Sequence, residues 1–113
     1  MNYFSKMELN KDKFVDQLSK LVSMETVTSD REANNKALEY IETLFDSSVK
    51  IKQLEKNGKR LLLAGNTESL EPDVGYLVHV DVVSGRKDQF KLKQASGILI
   101  GRGVSDMKFS IPI

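Results

Sequence analysis

The sequence lacks several residue types and patterns on which common protein classes depend. It has no cysteine, which excludes disulfide bonds, thiolate metal ligands and a cysteine nucleophile. Its 17 basic and 16 acidic residues nearly balance and form no basic block that could follow a phosphate backbone, so we expect no nucleic-acid partner. No apolar run approaches the roughly 20 residues that span a bilayer, and residues 1–6 lack the apolar core of a signal peptide. These absences predict a cytoplasmic protein without a membrane partner.

Two segments of the chain have the apolar spacing of amphipathic helices. The 40% hydrophobic content is enough for one small domain or for a piece of a larger one. Asn10 precedes the first segment as a plausible cap, and Ser29 with Glu32 forms a predicted capping box before the second. The predicted buried faces are Phe14, Val15, Leu18, Leu21 and Val22 in the first helix and Ala37, Leu38, Ile41, Leu44 and Phe45 in the second.

Turn signals in the second half of the chain predict two hairpins. The dipeptide Asn57-Gly58 tolerates the positive φ of a tight turn, and it lies between an alternating segment at 49–52 and an apolar return strand at 61–64. Residues 95–97 could turn the chain in the same way into a strand at 98–100.

Residues 74–83 are the most strand-like segment of the sequence. They are apolar on both faces, which predicts a strand covered on both sides. The order of two helices followed by strands predicts an α/β sandwich with a mixed sheet.

His79 and Asp81 are the first candidates for chemistry. They lie two apart on this predicted strand, so their side chains project from the same face. A histidine in an apolar run is more often a hydrogen-bonded core residue than a ligand. However, a carboxylate in a buried strand must be paired, hydrogen-bonded or bound to a metal, and an acid beside a histidine suits a zinc site. The spacing alone leaves both alternatives open.

Residues 101–108, Gly-Arg-Gly-Val-Ser-Asp-Met-Lys, form the second candidate cluster. Gly101 and Gly103 allow unusual backbone angles and would place Asp106 in a tight turn. The simpler interpretation is an ordinary connecting loop in which Ser105 or Asp106 caps the next helix. By itself this cluster favours the simpler interpretation.

Taken together, the two clusters resemble the signature of one metallohydrolase family. His-Val-Asp-Val-Val at 79–83, followed by the cluster at 101–108, is similar to the motifs of the zinc-dependent aminoacylase/carboxypeptidase-type metallopeptidases, which include acetylornithine deacetylase, succinyl-diaminopimelate desuccinylase and aminoacylase. The resemblance covers nearly the whole chain. It implies an α/β three-layer sandwich with a mixed sheet, of which residues 1–113 would be the N-terminal portion of the catalytic domain, with the lid domain and the C-terminal half absent.

The resemblance also implies roles for three residues. His79 would bind one zinc ion, Asp106 would bridge two ions, and Asp81 would be the catalytic-site acid that orients the His79 ring. Cobalt or manganese could replace zinc, because mixed histidine and carboxylate sites accept several divalent ions. The complete enzyme would hydrolyse amide bonds of small peptides or N-acyl amino acids, using a metal-activated water and a glutamate base.

The sequence departs from the family pattern in ways that bear on activity. Phe109 stands where the family commonly has glycine, and Ser84 stands where it often has proline. No His, Asp, Glu or Cys follows Asp106, and His79 is the only histidine, whereas a zinc site normally needs at least three protein ligands. We therefore expect an N-terminal fragment that is inactive by itself and lacks the ligands for both ions. The alternative is a non-catalytic association module, whose unpaired strand edges would favour homo-oligomers.

Overall fold

The computed structural model describes residues 10–67, 69 and 71–113, so residues 1–6, considered above for a signal peptide, lie outside the described part. Two α-helices come first and two short antiparallel hairpins follow. The elements are α1 (Lys11–Ser23), α2 (Arg31–Glu42), β1 (Lys50–Lys56), β2 (Lys59–Gly65), β3 (Lys93–Ala95) and β4 (Ile98–Ile100), with short 3-10 helices at Lys87–Phe90 and Lys108–Ser110.

Side-chain caps define where both helices begin. The side-chain oxygen of Asn10 accepts a hydrogen bond from the Lys13 amide at 3.0 Å, as predicted. The cap predicted at Ser29 is wrong by one residue. Asp30 caps α2 by accepting from the Ala33 amide at 3.0 Å, because its carboxylate reaches the third helical amide from an extended backbone position.

Both predicted hairpins form around two-residue turns with positive φ. Asn57 and Gly58 have φ values of 54° and 75° and join β1 to β2. Ser96 and Gly97 have φ values of 49° and 77° and join β3 to β4. These angles are those of the turn that matches the twist of antiparallel strands, so the hairpin predictions are confirmed.

The core lies where the inner faces of the two helices meet the chain's last residues. Leu21, Ile41 and Ile111 form its centre, and half-buried apolar residues of α2, β2 and the segment 74–83 pack around them. The most buried part of each predicted helix face is confirmed, with Leu18, Leu21 and Val22 buried in α1 and Ala37 and Ile41 in α2.

The segment 74–83 differs from the prediction of a strand covered on both sides. Among the described residues it makes one isolated parallel bridge, between Val82 and Val27, and no ladder. Its first four residues are exposed, with Val74 84% and Leu77 85% accessible. The physical reason is that no strand of the described part pairs with it in a ladder, so residues 74–77 stay uncovered while Val78, Val80 and Val82 pack against the core and the neighbouring loop.

These elements support assignment to the α/β class. In the part of the chain that the structure describes, the strands form two separate hairpins rather than one mixed sheet. The three-layer sandwich therefore stays a prediction. None of the described helices has the length and apolar character needed to cross a membrane.

Candidate metal centre

The extended segment that carries His79 and Asp81 is held by the connector between α1 and α2. The Thr26 hydroxyl donates to the Val80 carbonyl at 2.7 Å, and the Val82 amide donates to the Thr26 carbonyl at 2.8 Å. The Thr28 amide then donates to the Val82 carbonyl at 2.9 Å. Thr26 is fully buried, so the two bonds that it makes are largely shielded from water. They fix the backbone on both sides of Asp81.

The loop at 101–107 that carries Asp106 is fastened at its start. The Arg102 amide donates to the Gln89 carbonyl at 2.7 Å, and its guanidinium donates to the Gln89 side-chain oxygen at 2.6 Å. Gly103 has φ +80° and packs against Val82, and its carbonyl accepts from the Lys108 amide at 2.9 Å. The loop is thereby seated on the segment that holds His79.

Lys108 anchors the end of the same loop to α1. Its side chain is fully buried, and its Nζ donates to the Leu21 carbonyl at 2.8 Å, in the last turn of the helix. The C-terminal end of a helix carries partial negative charge, which suits an ammonium group. Burial nevertheless lowers the pKa of Lys108 to about 8.

The supports of the extended segment and of the loop at 101–107 bring His79 and Asp106 together across 27 residues of sequence. The His79 Nε2 lies 3.0 Å from Asp106 Oδ1. The other ring nitrogen, Nδ1, lies 3.1 Å from the Asp81 carbonyl oxygen and 3.3 Å from Asp81 Oδ1. The structure thus places all three sequence-predicted residues in one cluster, with Asp81 and Asp106 on opposite sides of the imidazole.

The cluster is open to solvent, so its ion pairs do not hold it in place. The side chains are 46% exposed for His79, 40% for Asp81 and 88% for Asp106. Pairs this exposed stabilise a fold by at most about 1 kcal/mol. Its geometry therefore depends on the buried backbone supports described above.

The surroundings of His79 favour a charged ring. Burial lowers the pKa of His79, but hydrogen bonds to the Asp81 carbonyl and the Asp106 carboxylate, with the charges of both carboxylates, raise it above its ordinary value. A neutral imidazole has one N–H, but here each of its two nitrogens faces an oxygen acceptor. A second proton, which gives the ring a positive charge, is therefore stabilised. A divalent cation between Nε2 and Asp106 would satisfy the same need.

The donors at this position are chemically suited to zinc but incomplete. Two ligands of one tetrahedral zinc, each at ~2.0–2.2 Å, lie roughly 3.3 Å apart, so the 3.0 Å between Nε2 and Oδ1 needs to open by only a few tenths of an ångström. Asp81 meets the other nitrogen, as an acid that orients a zinc-binding histidine does. Within residues 10–67, 69 and 71–113, no three His, Cys, Asp or Glu side chains are arranged to hold a metal ion.

A cavity of about 680 Å³ opens beside the cluster. Its wall is largely apolar and includes Leu38, Phe45, Leu62 and Val78. His79 and Asp81 also line it. An apolar cavity with a few convergent polar groups is the usual form of a small-molecule site.

Two supporting residues, Thr28 and Lys108, were not found by sequence reasoning. Thr26 and Thr28, two apart on an extended connector, can bond to a parallel neighbour, but the sequence does not say which segment that neighbour is. The burial of Lys108 has no sequence signal apart from its position in the motif.

Comparison with known proteins gives one informative similarity. Over 110 aligned residues the chain is 33% identical to the succinyl-diaminopimelate desuccinylase of Rickettsia typhi (strain ATCC VR-144 / Wilmington). The alignment covers 87% of this chain and 28% of that protein, so the chain spans little more than a quarter of its relative's length. No protein-family model matches the chain, and no solved structure matches it. The similarity suggests a hydrolase of the amidohydrolase type.

Proposed function

We propose that the chain contributes the first metal ligands of a metal-dependent amidohydrolase of the aminoacylase/carboxypeptidase type. The observation that carries the proposal is the 3.0 Å approach of His79 Nε2 to Asp106 Oδ1, between two motifs that resemble that family. The similarity to a desuccinylase agrees with it. In this proposal residues 1–113 are the N-terminal portion of the catalytic domain and belong to a three-layer sandwich with a mixed sheet.

The residues present account for part of the chemistry. His79 and Asp106 would hold zinc, with Asp106 able to offer one oxygen to each of two ions, and Asp81 would keep the imidazole oriented. The metal supplies polarisation of an amide carbonyl and acidification of a bound water. The substrates would be small peptides or N-acyl amino acids bound along the cavity beside His79. The base and further ligands come from elsewhere in this proposal, so we expect this chain alone to be inactive.

Titration with zinc and cobalt tests the proposed metal site. We expect saturable but weak binding, because two ligands are fewer than a stable site needs, and tighter binding as the pH rises, because the metal binds the neutral ring. His79→Ala and Asp106→Asn should each weaken binding about tenfold or more, since each removes half of the donors. Calorimetry gives the affinity, and the cobalt absorption spectrum reports nitrogen coordination.

Asp46→Asn is the matched control, because Asp46 bonds to Ser48 in the connection between α2 and β1. It should bind metal as the unchanged chain does. The proposed site would be refuted by cobalt binding that is the same in all variants, or by no saturable binding at millimolar cobalt.

A second candidate function, a non-catalytic association module, is favoured by the exposed apolar residues of the segment 74–83. Tyr76 and Leu77 are 77% and 85% exposed, and this segment has no ladder partner among the described residues. Exposed apolar segments that are extended invite pairing with another chain.

If the segment 74–83 mediates pairing of two copies, the molar mass measured by light scattering should rise with concentration. Leu77→Lys should keep the chain monomeric at about tenfold higher concentration, because it places a charge in the contact. Leu54→Lys, at an apolar residue 43% exposed on the first hairpin, is the control and should leave association unchanged. A monomer at every concentration would argue against the association module.

A further inference from the structure

Thr28 contacts the side of Asp81 that faces away from His79. The Thr28 hydroxyl lies 2.7 Å from Asp81 Oδ2, while Asp81 Oδ1 faces the His79 Nδ1 at 3.3 Å. The Asp81 carboxylate therefore lies between the threonine and the imidazole, whose Nδ1 also lies 3.1 Å from the Asp81 carbonyl oxygen. This chain of contacts continues through Nε2 to Asp106.

The Thr28 hydroxyl has a second possible acceptor, and the geometry decides between the two. It also lies 3.2 Å from the Val82 carbonyl oxygen, but that carbonyl already accepts the Thr28 amide at 2.9 Å. A hydroxyl donates one proton, and a bond to a carboxylate is shorter and stronger than a bond to a neutral carbonyl. The proton therefore goes to Asp81.

Thr28 is exposed, but its backbone is hydrogen-bonded to the segment that carries Asp81, which limits where its hydroxyl can lie. The Thr28 backbone is tied to Val82, and the neighbouring Thr26 is fully buried and bonded to the same segment. The Asp81 side chain is 40% exposed and could adopt other rotamers that leave the imidazole. The bond from the Thr28 hydroxyl to Oδ2 favours the rotamer in which Oδ1 faces Nδ1.

We propose that Thr28 is a positioning residue for the metal site: it fixes the Asp81 carboxylate, which together with the Asp81 carbonyl holds the His79 ring with Nε2 directed at the cation position beside Asp106. The inference rests on the proposed function. Thr28 acts through Asp81 and touches neither the metal nor the substrate.

Cobalt and zinc titration of the whole chain, with variants at Thr28, tests this role. Thr28→Val keeps the β-branched shape and removes the hydroxyl. We expect it to weaken metal binding about threefold to tenfold. Loss of a group that contacts a metal ligand directly typically costs roughly tenfold to a hundredfold, and Thr28 is one contact further away. Thr28→Ser should restore the affinity to within about twofold. The control is Thr43→Val, which removes a hydroxyl bonded to the Tyr40 carbonyl at the end of α2 and should change nothing.

A double-variant comparison separates positioning from general damage to the fold. In an Asp81→Asn background the acceptor carboxylate is gone, so Thr28→Val should weaken metal binding no further. Equal losses from Thr28→Val and Thr28→Ser, no loss from Thr28→Val, or the same loss with and without Asp81 would each overturn the inference.

The ring of His79 supplies a readout that needs no metal. It is the only histidine, so its two ring-nitrogen NMR signals are unambiguous. In the metal-free chain at alkaline pH we expect the tautomer protonated on Nδ1 to lose population in Thr28→Val and to recover in Thr28→Ser. If metal binding proves independent of His79, the proposed function fails, while this shift still decides whether Thr28 orients the ring through Asp81.

Discussion

Gly103→Ala should destabilise the folded chain by about 3 kcal/mol. Gly103 has φ +80°, a conformation that costs an alanine roughly 1–2 kcal/mol. The added methyl group would overlap the Cγ1 of Val82 and lie 3.4 Å from Lys108 Cδ. Val82 is only 5% exposed, so its side chain has no open space to move into, and such overpacking costs roughly 1–3 kcal/mol. Urea unfolding followed by circular dichroism measures the loss.

Gly97→Ala is the matched control for this substitution. Gly97 has φ +77°, but a methyl group there would meet no atom within 4 Å. It should cost only the backbone strain, about 1 kcal/mol. Because Gly103 seats the loop that carries Asp106, its variant should also weaken cobalt binding where the Gly97 variant does not. Equal destabilisation by the two variants would mean that the contact with Val82 is unimportant.

The local elements of the fold were predictable because their signals are contained in short stretches of sequence. Asn10 caps α1 through its own side chain, and Asn57-Gly58 adopts the positive φ values that the hairpin requires. The error at Ser29 arose because the next residue, Asp30, is an equally good cap, and a choice between such neighbours depends on the approach of the chain.

The state of residues 74–83 was not predictable from their own sequence. An apolar run indicates that a strand needs cover, but it does not say which other residues supply it. In the described part of the chain the only strand-like pairing of the segment is the bridge between Val82 and Val27 in the connector between the helices. Pairing between distant strands depends on the whole sheet. Without such pairing, the side chains of residues 74–77 stay exposed.

Some residues of the candidate site were predictable from sequence motifs, and others depend on contacts between distant parts of the chain. The proximity of His79 and Asp106 was anticipated from two motifs whose resemblance to a known family carries three-dimensional information. Their metal roles stay predictions. Thr28 was missed because its partner lies 53 residues away, and no spacing rule joins a connector threonine to a distant aspartate.

The second large effect is expected at Lys108, whose ammonium group is buried among the described residues without a carboxylate partner. Its one side-chain hydrogen bond goes to the Leu21 carbonyl, which also accepts the Met24 amide at 3.3 Å. Removing the lysine therefore leaves no orphaned acceptor. Its stem packs against Gly103, so the volume must be kept.

Lys108→Met, which keeps the length and removes the charge, should stabilise the chain by up to about 2 kcal/mol at pH 7. Lys108→Ala should be about 2 kcal/mol less stable than the methionine variant, because it leaves a cavity where the stem was. Urea unfolding measures both. A methionine variant less stable than the unchanged chain would show that the ammonium, and not the packing of the stem, holds the loop on α1.

The contribution of Lys108 to stability should depend on pH in one direction. Its pKa is about 8 in the folded chain against an ordinary 10.5, so between these values the unfolded chain binds more protons than the folded one. Stability must then rise with pH, by at most about 1.4 kcal/mol per unit and roughly 3 kcal/mol in total, with the burial penalty fully present below pH 8. Lys108→Met lacks the titrating amine and shares every other titrating group with the unchanged chain. The difference in free energy of unfolding that favours the methionine variant should therefore shrink steadily from pH 8 to 10.5. An advantage that stays constant over this range would mean that the buried amine is not the group under strain, and that the last turn of α1 accommodates its charge in full.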